Sequence, residues 1–444
     1  MHRFKNVSAY NLTRNADYAI IFLYVGTSSA RSRPIFIFED LQMTNVAILG
    51  FGVVGGGVAD LLVKNSAYAS KLGGDEINIK YILDLRDFPN SPFADRVVHD
   101  YNIILSDPEV DCVIEVMGGS HPAYEYTVSA LKAGKHVITS NKEVVAKYGD
   151  EFLSLAKEKG VCYRFEAAVG GGIPVISPMI SCVGHNKITE VRGILNGTTN
   201  YILTKMFSFG KSFDESLKDA QALGYAERNP DADVLGIDAC RKITILTALV
   251  TGKLLDTDKV HTEGIISIRS EDVKAAAKMD MKIKLLGRCM VTEGGMQVLV
   301  APFMLKNDSP LSTVSGVYNA VEVIGQPIGN LMFYGQGAGA GATASAVVGD
   351  LMQIMRSGTN YAEPVWEKSD EGLIDFSLFE SKHYIALKDI DLETVKAELG
   401  EAQLISEGKE IALVTEVLSE DKVTDALKNL RAKGAKVKSR IRII

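Results

Sequence analysis

The residues Gly50-Phe51-Gly52-Val53-Val54-Gly55 constrain this chain more than any other stretch, because they stand between an apolar run, Val46 to Leu49, and an amphipathic stretch from about Gly55 to Asn65. A GxGxxG in that setting is a strand-to-helix turn. Its first glycine permits the tight turn, its second lets a pyrophosphate approach the backbone, and its third allows helix and strand to pack closely. N–H groups at the helix start then face the phosphates. Gly50, Phe51, Gly52, Val53, Val54 and Gly55 are accordingly read as a dinucleotide-binding turn. Downstream the alternation continues through Ile77 to Leu83, Cys112 to Val116, a helix over about Tyr124 to Ala133, and His136 to Thr139. Strands alternating with helices require parallel strands joined by crossovers, which is a doubly wound, Rossmann-like sheet.

In such sheets an acidic residue at the end of the second strand reads the ribose. Asp84 fits, although it comes later than the usual spacing, and Arg86 two residues on is the alternative, suited to a 2′-phosphate. The choice between NAD and NADP stays open. Lys142 follows the strand His136 to Thr139 closely, and residues just past the carboxyl end of a parallel strand point into the ligand crevice. Thr139 and Ser140 belong to the same turn.

Asp238 and Lys242 are four residues apart and share a helix face, while Leu235, Ile237, Ala239, Ile243, Ile245 and Leu246 around them are apolar. Buried charges are costly unless paired or functional, so the pair reads as part of a site. Burial depresses a lysine pKa towards neutrality, which suits a general acid; Asp238 opposes that shift while holding the ammonium. Glu227, in the polar loop Gly224 to Asp233, offers a carboxylate to a substrate ammonium, against the alternative of an ordinary solvent-facing loop glutamate. His121 and His136 read as structural, and Met179 and Met206 as core filler.

Composition bounds the rest. With 48 Lys plus Arg against 55 Asp plus Glu, a net charge of -7 argues against nucleic acid or an acidic membrane surface and favours a small-molecule ligand. Five scattered cysteines without a CxxC give neither a disulfide framework nor a structural zinc site, and point to a cytoplasmic protein. The apolar run Tyr18 to Gly26 is far short of the roughly 20 residues of a spanning helix. A strand opens directly after Met43, so residues 1–42 are expected to be an extension outside the native chain, with a secretory signal as the rival reading. Domains are expected at 43–165, 166–360, closing back on the first, and 376–444. The last follows a strand, helix, strand, strand, helix, strand order from Tyr384-Ile385-Ala386-Leu387 to Val437–Ile443.

Several stretches together resemble the homoserine dehydrogenase family: Ala133-Gly134-Lys135-His136-Val137-Ile138-Thr139-Ser140-Asn141-Lys142-Glu143, the Gly-rich run from Glu166 to Ile176, Gly193 to Leu203, Ala222 to Glu227, Asp233 to Ala239 with Lys242, and Tyr334 to Gly339 followed by Thr343-Ala344-Ser345. The resemblance covers about Met43 to Arg356. It implies reversible, NAD- or NADP-dependent reduction of L-aspartate 4-semialdehyde to L-homoserine by a homodimer or homotetramer. By the same resemblance Lys142 and Lys242 stand at the reacting carbonyl, Glu227, Asp238, Asp233, Gly197, Thr198 and Tyr225 line the amino-acid site, and Gly337 meets the cofactor. It further implies a sodium or potassium ion held by the Glu166 carboxylate and the carbonyls of Val169, Gly171 and Ile173. Gln336 and Ala342 stand where the family usually has proline. The C-terminal segment resembles an ACT-type effector domain of the kind that binds threonine, but Lys388-Asp389-Ile390-Asp391 lacks the glycine that usually opens the effector loop. Rival readings are a sugar or aldose oxidoreductase and a nucleotide sensor without catalysis; the buried Asp238/Lys242 pair is superfluous in the latter.

Overall fold

The computed structural model describes residues 43–68, 76–360 and 362–444 with their side chains, and within residues 1–42 only backbone strands, among them Tyr18–Val25 paired antiparallel with Pro34–Asp40. The expectation that residues 1–42 lie outside the native chain falls outside the described side chains. From Met43 a sheet forms from β1 (Met43–Leu49), β2 (Glu76–Leu83), β3 (Val97–Val98), β4 (Cys112–Glu115), β5 (His136–Thr139) and β6 (Tyr163–Arg164). The strands run parallel in the order β6-β5-β4-β1-β2-β3. The order reverses between β1 and β4, and ligands of doubly wound sheets bind outside the carboxyl ends of the strands at that switch point.

Both faces of β1 are covered, which is why it reads as an unbroken apolar run. Val46 and Ile48 share a core with Val58 and Leu62 of α1 (Val53–Lys64), whereas Ala47 and Leu49 pack with Ala130 of α2 (Ala123–Lys132) and Val144 of α3 (Lys142–Lys159). The first of these faces is completed by a distant helix, Ala340–Ser357, whose Ala344, Val347 and Leu351 join the α1 core. Gly57 permits that approach, since a Cβ there would lie 3.1 Å from the Ala340 carbonyl oxygen.

A second sheet of eleven strands is built mainly from antiparallel pairs. Its body runs through Gly329–Gln336, Tyr318–Gln326, Lys187–Ile194, Met281–Thr292 and Gly295–Lys306, with the helix Ile237–Thr251 packed so closely that a Cβ on Gly287 would lie 3.0 Å from Ile243 Cβ. The C-terminal segment forms the expected pattern, with strands Glu380–Lys388, Ala402–Ser406, Ile411–Thr415 and Lys436–Ile443 and helices Leu392–Leu399 and Glu420–Ala432 around a core that includes Leu387, Val395, Leu413 and Leu427.

It is not simply appended. Its last strand pairs in parallel with Gly295–Lys306 through Phe303↔Arg442 and Met304↔Ile443, making one continuous sheet. Arg442, 1 % exposed, is held by Glu263 of the body at 2.8 and 2.9 Å and by Glu420 of its own unit at 2.7 and 2.9 Å. A basic terminal strand reads as a solvated edge unless its carboxylate partners are known. The connector before this unit is also docked: the buried Trp366 packs 5.2 Å from Phe165 and lies against Gly149, where a Cβ would be 2.6 Å from the indole. Among the described residues no helix is long and apolar enough to cross a membrane.

Candidate active site

The glycine turn lies at the switch point. Gly50 has φ +94°, a conformation that favours glycine, and a Cβ there would meet Met117 Cγ at 3.0 Å and Val116 O at 3.3 Å. Gly55 is tighter still, with its Cβ position 2.0 Å from Gly50 O. The middle glycine differs: nothing lies within 4 Å of a Cβ on Gly52, so this position faces open space. That is the arrangement a pyrophosphate requires, and the residues fit a dinucleotide. Val53 opens α1 and is 75 % exposed, with Val54 following it. Phe51 supports the turn, its ring set edgewise on Phe88 and Phe93 and its N–H donated to Asp84 Oδ2 at 2.8 Å.

Asp84 is already engaged. Oδ1 accepts from Arg86 N and Nε, and Oδ2 accepts from Phe51 N and Arg86 Nη2, which fills about the four acceptor positions of a carboxylate. The Arg86 guanidinium beside Asp84 holds its carboxyl down at about 2. The sequence offered Asp84 and Arg86 as alternatives; the structure joins them as a pair, with Arg86 lying over Phe88.

Across the crevice, Asn141 accepts the Glu143 N–H and caps α3, so Lys142 is the first residue of a helix that starts where β5 ends. Its Nζ lies 2.8 Å from Asp238 Oδ1, and Lys242 Nζ lies 2.8 Å from Asp238 Oδ2. One carboxylate thus bridges lysines from two parts of the molecule. Lys242 also donates to Leu195 O at 2.8 Å, and Arg241–Glu143 (3.1 Å) with Ser120–Glu143 (2.8 Å) braces the same junction. Asp238 and Lys242 are 3 % and 7 % exposed. Burial alone would raise the Asp238 carboxyl, but Lys242 and Lys142 outweigh it and keep it ionised, well below its ordinary range. Asp238 raises the pKa of Lys142 against the effect of burial. For Lys242 burial prevails over Asp238, and its pKa is lowered.

Asn196, absent from the residues expected to line the site, is central to it. Its Nδ2 donates to Asp233 Oδ1 at 2.7 Å and to Asp238 Oδ2 at 2.9 Å, while its Oδ1 accepts Thr199 N at 2.8 Å and caps the helix Gly197–Phe209. The cap signature was present in the sequence; the contacts with two distant aspartates were not. Burial raises the Asp233 pKa while Asn196 opposes it. Thr198 Oγ1 donates to Tyr225 O at 2.7 Å, bringing Gly197, Thr198 and Tyr225 together. Glu227 lies in the same loop, exposed, with its backbone carbonyl accepting from Gln221 Nε2 at 3.1 Å.

At the Gly-rich run, backbone N–H groups converge on the Glu166 carboxylate. Its Oε1 accepts the N–H groups of Val175 at 2.6 Å and Ile176 at 2.7 Å, and its Oε2 accepts that of Ser177 at 2.7 Å. The carboxylate is thereby held by the backbone where the chain turns into a helix, with one of about four acceptor positions left on Oε2. Gly337 crosses this run: a Cβ on Gly171 would lie 2.3 Å from Gly337 O, and one on Gly337 2.2 Å from the Asn319 side chain. Its close packing explains the glycine without a ligand.

Comparisons with known proteins agree with this geometry. Residues 50–166 match the family model for the NAD binding domain of homoserine dehydrogenase, and residues 174–352 match that for homoserine dehydrogenase itself. The homoserine dehydrogenase of Pseudomonas aeruginosa is 36% identical over 417 residues, 88% of this chain and 96% of the relative. That of Synechocystis is 43% identical over 317 residues, 70% of this chain and 73% of the relative. A crystal structure of a homoserine dehydrogenase from Thiobacillus denitrificans superposes with a TM-score of 0.84 at 34% identity, covering 91% of this chain and 98% of that one. The S. aureus enzyme at pH7.5 gives 0.75 at 31% identity, covering 90% and 99%. With a glycine turn at the switch point and a lysine pair bridged by Asp238, and with relatives matching along most of its length, the chain belongs to the homoserine dehydrogenase family.

Proposed function

We propose that the Asp238 cluster is where this homoserine dehydrogenase interconverts L-aspartate 4-semialdehyde and L-homoserine, with Lys242 giving the proton to the carbonyl oxygen and recovering it in reverse. The observation that carries this reading is one buried carboxylate 2.8 Å from two lysines, of which burial drives Lys242 towards the neutral form. A bound nicotinamide cofactor supplies the hydride. Lys142, kept as an ammonium by Asp238, orients the substrate oxygen from the cofactor side. Asp233, Gly197, Thr198 and Tyr225 shape the amino-acid end, and Glu227 pairs with its ammonium. The deciding assay follows NADPH oxidation with aspartate semialdehyde and NAD(P)-dependent oxidation of homoserine. Absence of turnover in both directions would end this reading and favour the sensor.

On the cofactor, we infer that Arg86 serves a 2′-phosphate, because the acceptor positions of Asp84 are filled while Arg86 is 64% exposed at its side chain. A hyperthermophilic archaeal homoserine dehydrogenase mutant, 29% identical with a TM-score of 0.61, is described in complex with NADPH. Arg86→Ala is expected to raise KM for NADP about tenfold with little change for NAD, the scale of one charge-assisted contact. Equal effects on both cofactors would remove Arg86 from phosphate recognition. Thr139 and Ser140 would line the nicotinamide half. For a sodium or potassium ion, the candidate ligands are the carbonyls of Val169, Gly171 and Ile173 and the remaining acceptor position of the Glu166 carboxylate.

The topology of residues 380–444 supports an ACT-like unit. Where the glycine is missing, Asp389 takes φ +63°, and Asp391 already caps the helix Leu392–Leu399 through Thr394 N and Oγ1 at 2.8 Å. A threonine carboxylate would compete with that cap, so inhibition by threonine is expected to be weak or absent in a dose-response assay. Strong inhibition at submillimolar threonine, lost on deleting the unit, would show otherwise.

A further inference from the structure

Glu115 ends β4 at the switch point and is 0 % exposed beneath the segment that follows it. Its Oε1 accepts Met117 N–H at 2.8 Å, and its Oε2 accepts the Thr139 hydroxyl at 2.6 Å. Thr139 Oγ1 in turn accepts Asn141 N–H at 2.9 Å, and Asn141 Nδ2 donates to Gly119 O at 2.7 Å while its Oδ1 caps the helix that begins at Lys142. The carboxyl therefore ties together the two loops that follow β4 and β5. The first of those loops abuts the glycine turn, since Met117 and Val116 are the atoms a Cβ on Gly50 would strike.

The groups acting on Glu115 are Thr139, the Met117 N–H and Asn141, none of them a cation. From β6, Tyr163 is the other titratable group in range; its hydroxyl is buried and has no hydrogen-bond partner among the described residues. A buried carboxyl with no counter-cation is expensive to ionise. Both its oxygens accept hydrogen bonds, a pattern that an amide with one acceptor oxygen cannot reproduce, so the surroundings are built for the carboxylate despite that cost.

We propose that Glu115 distinguishes the two redox states of the cofactor, its carboxylate beneath the crevice favouring the oxidised nicotinamide, which carries one more positive charge than the reduced ring. The inference rests on the dehydrogenase reading of the crevice. When hydride leaves the reduced ring, its electron pair goes to the carbonyl carbon, a proton goes to the carbonyl oxygen, and the ring becomes a pyridinium. A fixed negative charge near the ring stabilises that developing charge. Glu115 is thus a positioning residue for the Thr139–Lys142 turn whose charge also acts on the cofactor.

Burial moves the Glu115 carboxyl up to about 7, against Thr139, Met117 and Asn141. The carboxylate fraction grows as pH rises through that value, so affinity for the oxidised cofactor should tighten with rising pH while that for the reduced cofactor stays flat. Tyr163 does not titrate there, because burial and then Glu115 push its hydroxyl well above the ordinary tyrosine range.

The test measures dissociation constants of NADP+ by calorimetry and NADPH by fluorescence, for the unaltered protein and Glu115→Gln, between about pH 6 and about pH 8. Glu115→Gln should weaken NADP+ on the order of tenfold, the scale of one charge interaction across a few atomic layers, and leave NADPH within about twofold. Its NADP+ affinity should also lose the pH dependence seen in the unaltered protein. Equal weakening of both cofactors, or no change in either, overturns the proposal. Thr139→Val removes a 2.6 Å hydrogen bond that lowers the Glu115 pKa, so the rise in NADP+ affinity should move to higher pH; a move to lower pH would also overturn the proposal. If Glu115→Gln fails to fold, the unaltered protein decides alone: a pH-independent ratio of the two constants rejects the proposal. Failure of the unaltered protein to bind either cofactor would instead overturn the dehydrogenase reading on which it rests.

Discussion

Lys242→Ala is expected to lower kcat by about a hundredfold to ten-thousandfold with the fold intact, the range a positioned general acid contributes. Hydride arriving at an aldehyde leaves charge on the oxygen, and that charge must be neutralised within reach of the reacting atoms. Lys242 suits the task because burial lowers its pKa, while Asp238 at 2.8 Å and Leu195 O at 2.8 Å fix its Nζ. Lys142 is the rival donor. It shares Asp238, but its pKa is raised and its side chain is 40% exposed, so it gives up a proton less readily. Lys142→Ala should therefore weaken substrate binding at least as much as it slows chemistry. Pre-steady-state hydride transfer in the two variants, with circular dichroism as the fold control, separates the roles. A near-normal rate in Lys242→Ala beside an inert Lys142→Ala would transfer the acid role to Lys142.

The sequence was most informative where one residue type satisfies one local demand. The parallel sheet was legible because strands buried on both faces read as apolar runs, and β5 was placed at His136–Thr139, where the structure has it. Gly50 and Gly55 were legible because their backbone geometry excludes a Cβ. The Asp238 and Lys242 pair was legible as a polar stripe on an apolar helix. Partners brought together only by tertiary folding were not legible. Asn196 meets Asp233 and Asp238 across 37 and 42 residues of chain, and no local spacing encodes that. Arg442 on Glu263 and the Glu166 carboxylate on three N–H groups were hidden for related reasons: a charged residue in sequence does not say which neighbour will take up its charge. The Arg442 contact also limits what can be removed without consequence, because deleting the last strand leaves Glu263 without this partner and Phe303 and Met304 without their parallel neighbour.

Asp238→Asn should be more damaging than the loss of either lysine, and should show in stability as well as rate. Both ammonium groups lie 2.8 Å from its oxygens, so an amide keeps the shape but removes the carboxylate that pairs with both lysines and turns an NH2 towards one of them. Lys242, 7 % exposed, then becomes a buried cation without its paired carboxylate, a situation that costs about 3–5 kcal/mol when one partner of a buried pair is removed. It escapes by losing its proton, which leaves it unable to serve as the acid, while Lys142 loses the interaction that raises its pKa. The expected result is a fall in kcat/KM at least as large as that of Lys242→Ala, together with a lower Tm. Adding Lys242→Met to Asp238→Asn should recover much of the Tm and none of the activity, because it removes the stranded charge but not the need for an acid. An Asp238→Asn variant with Tm and kcat both close to those of the unaltered protein would mean that the shared carboxylate neither holds the lysines nor supports the chemistry.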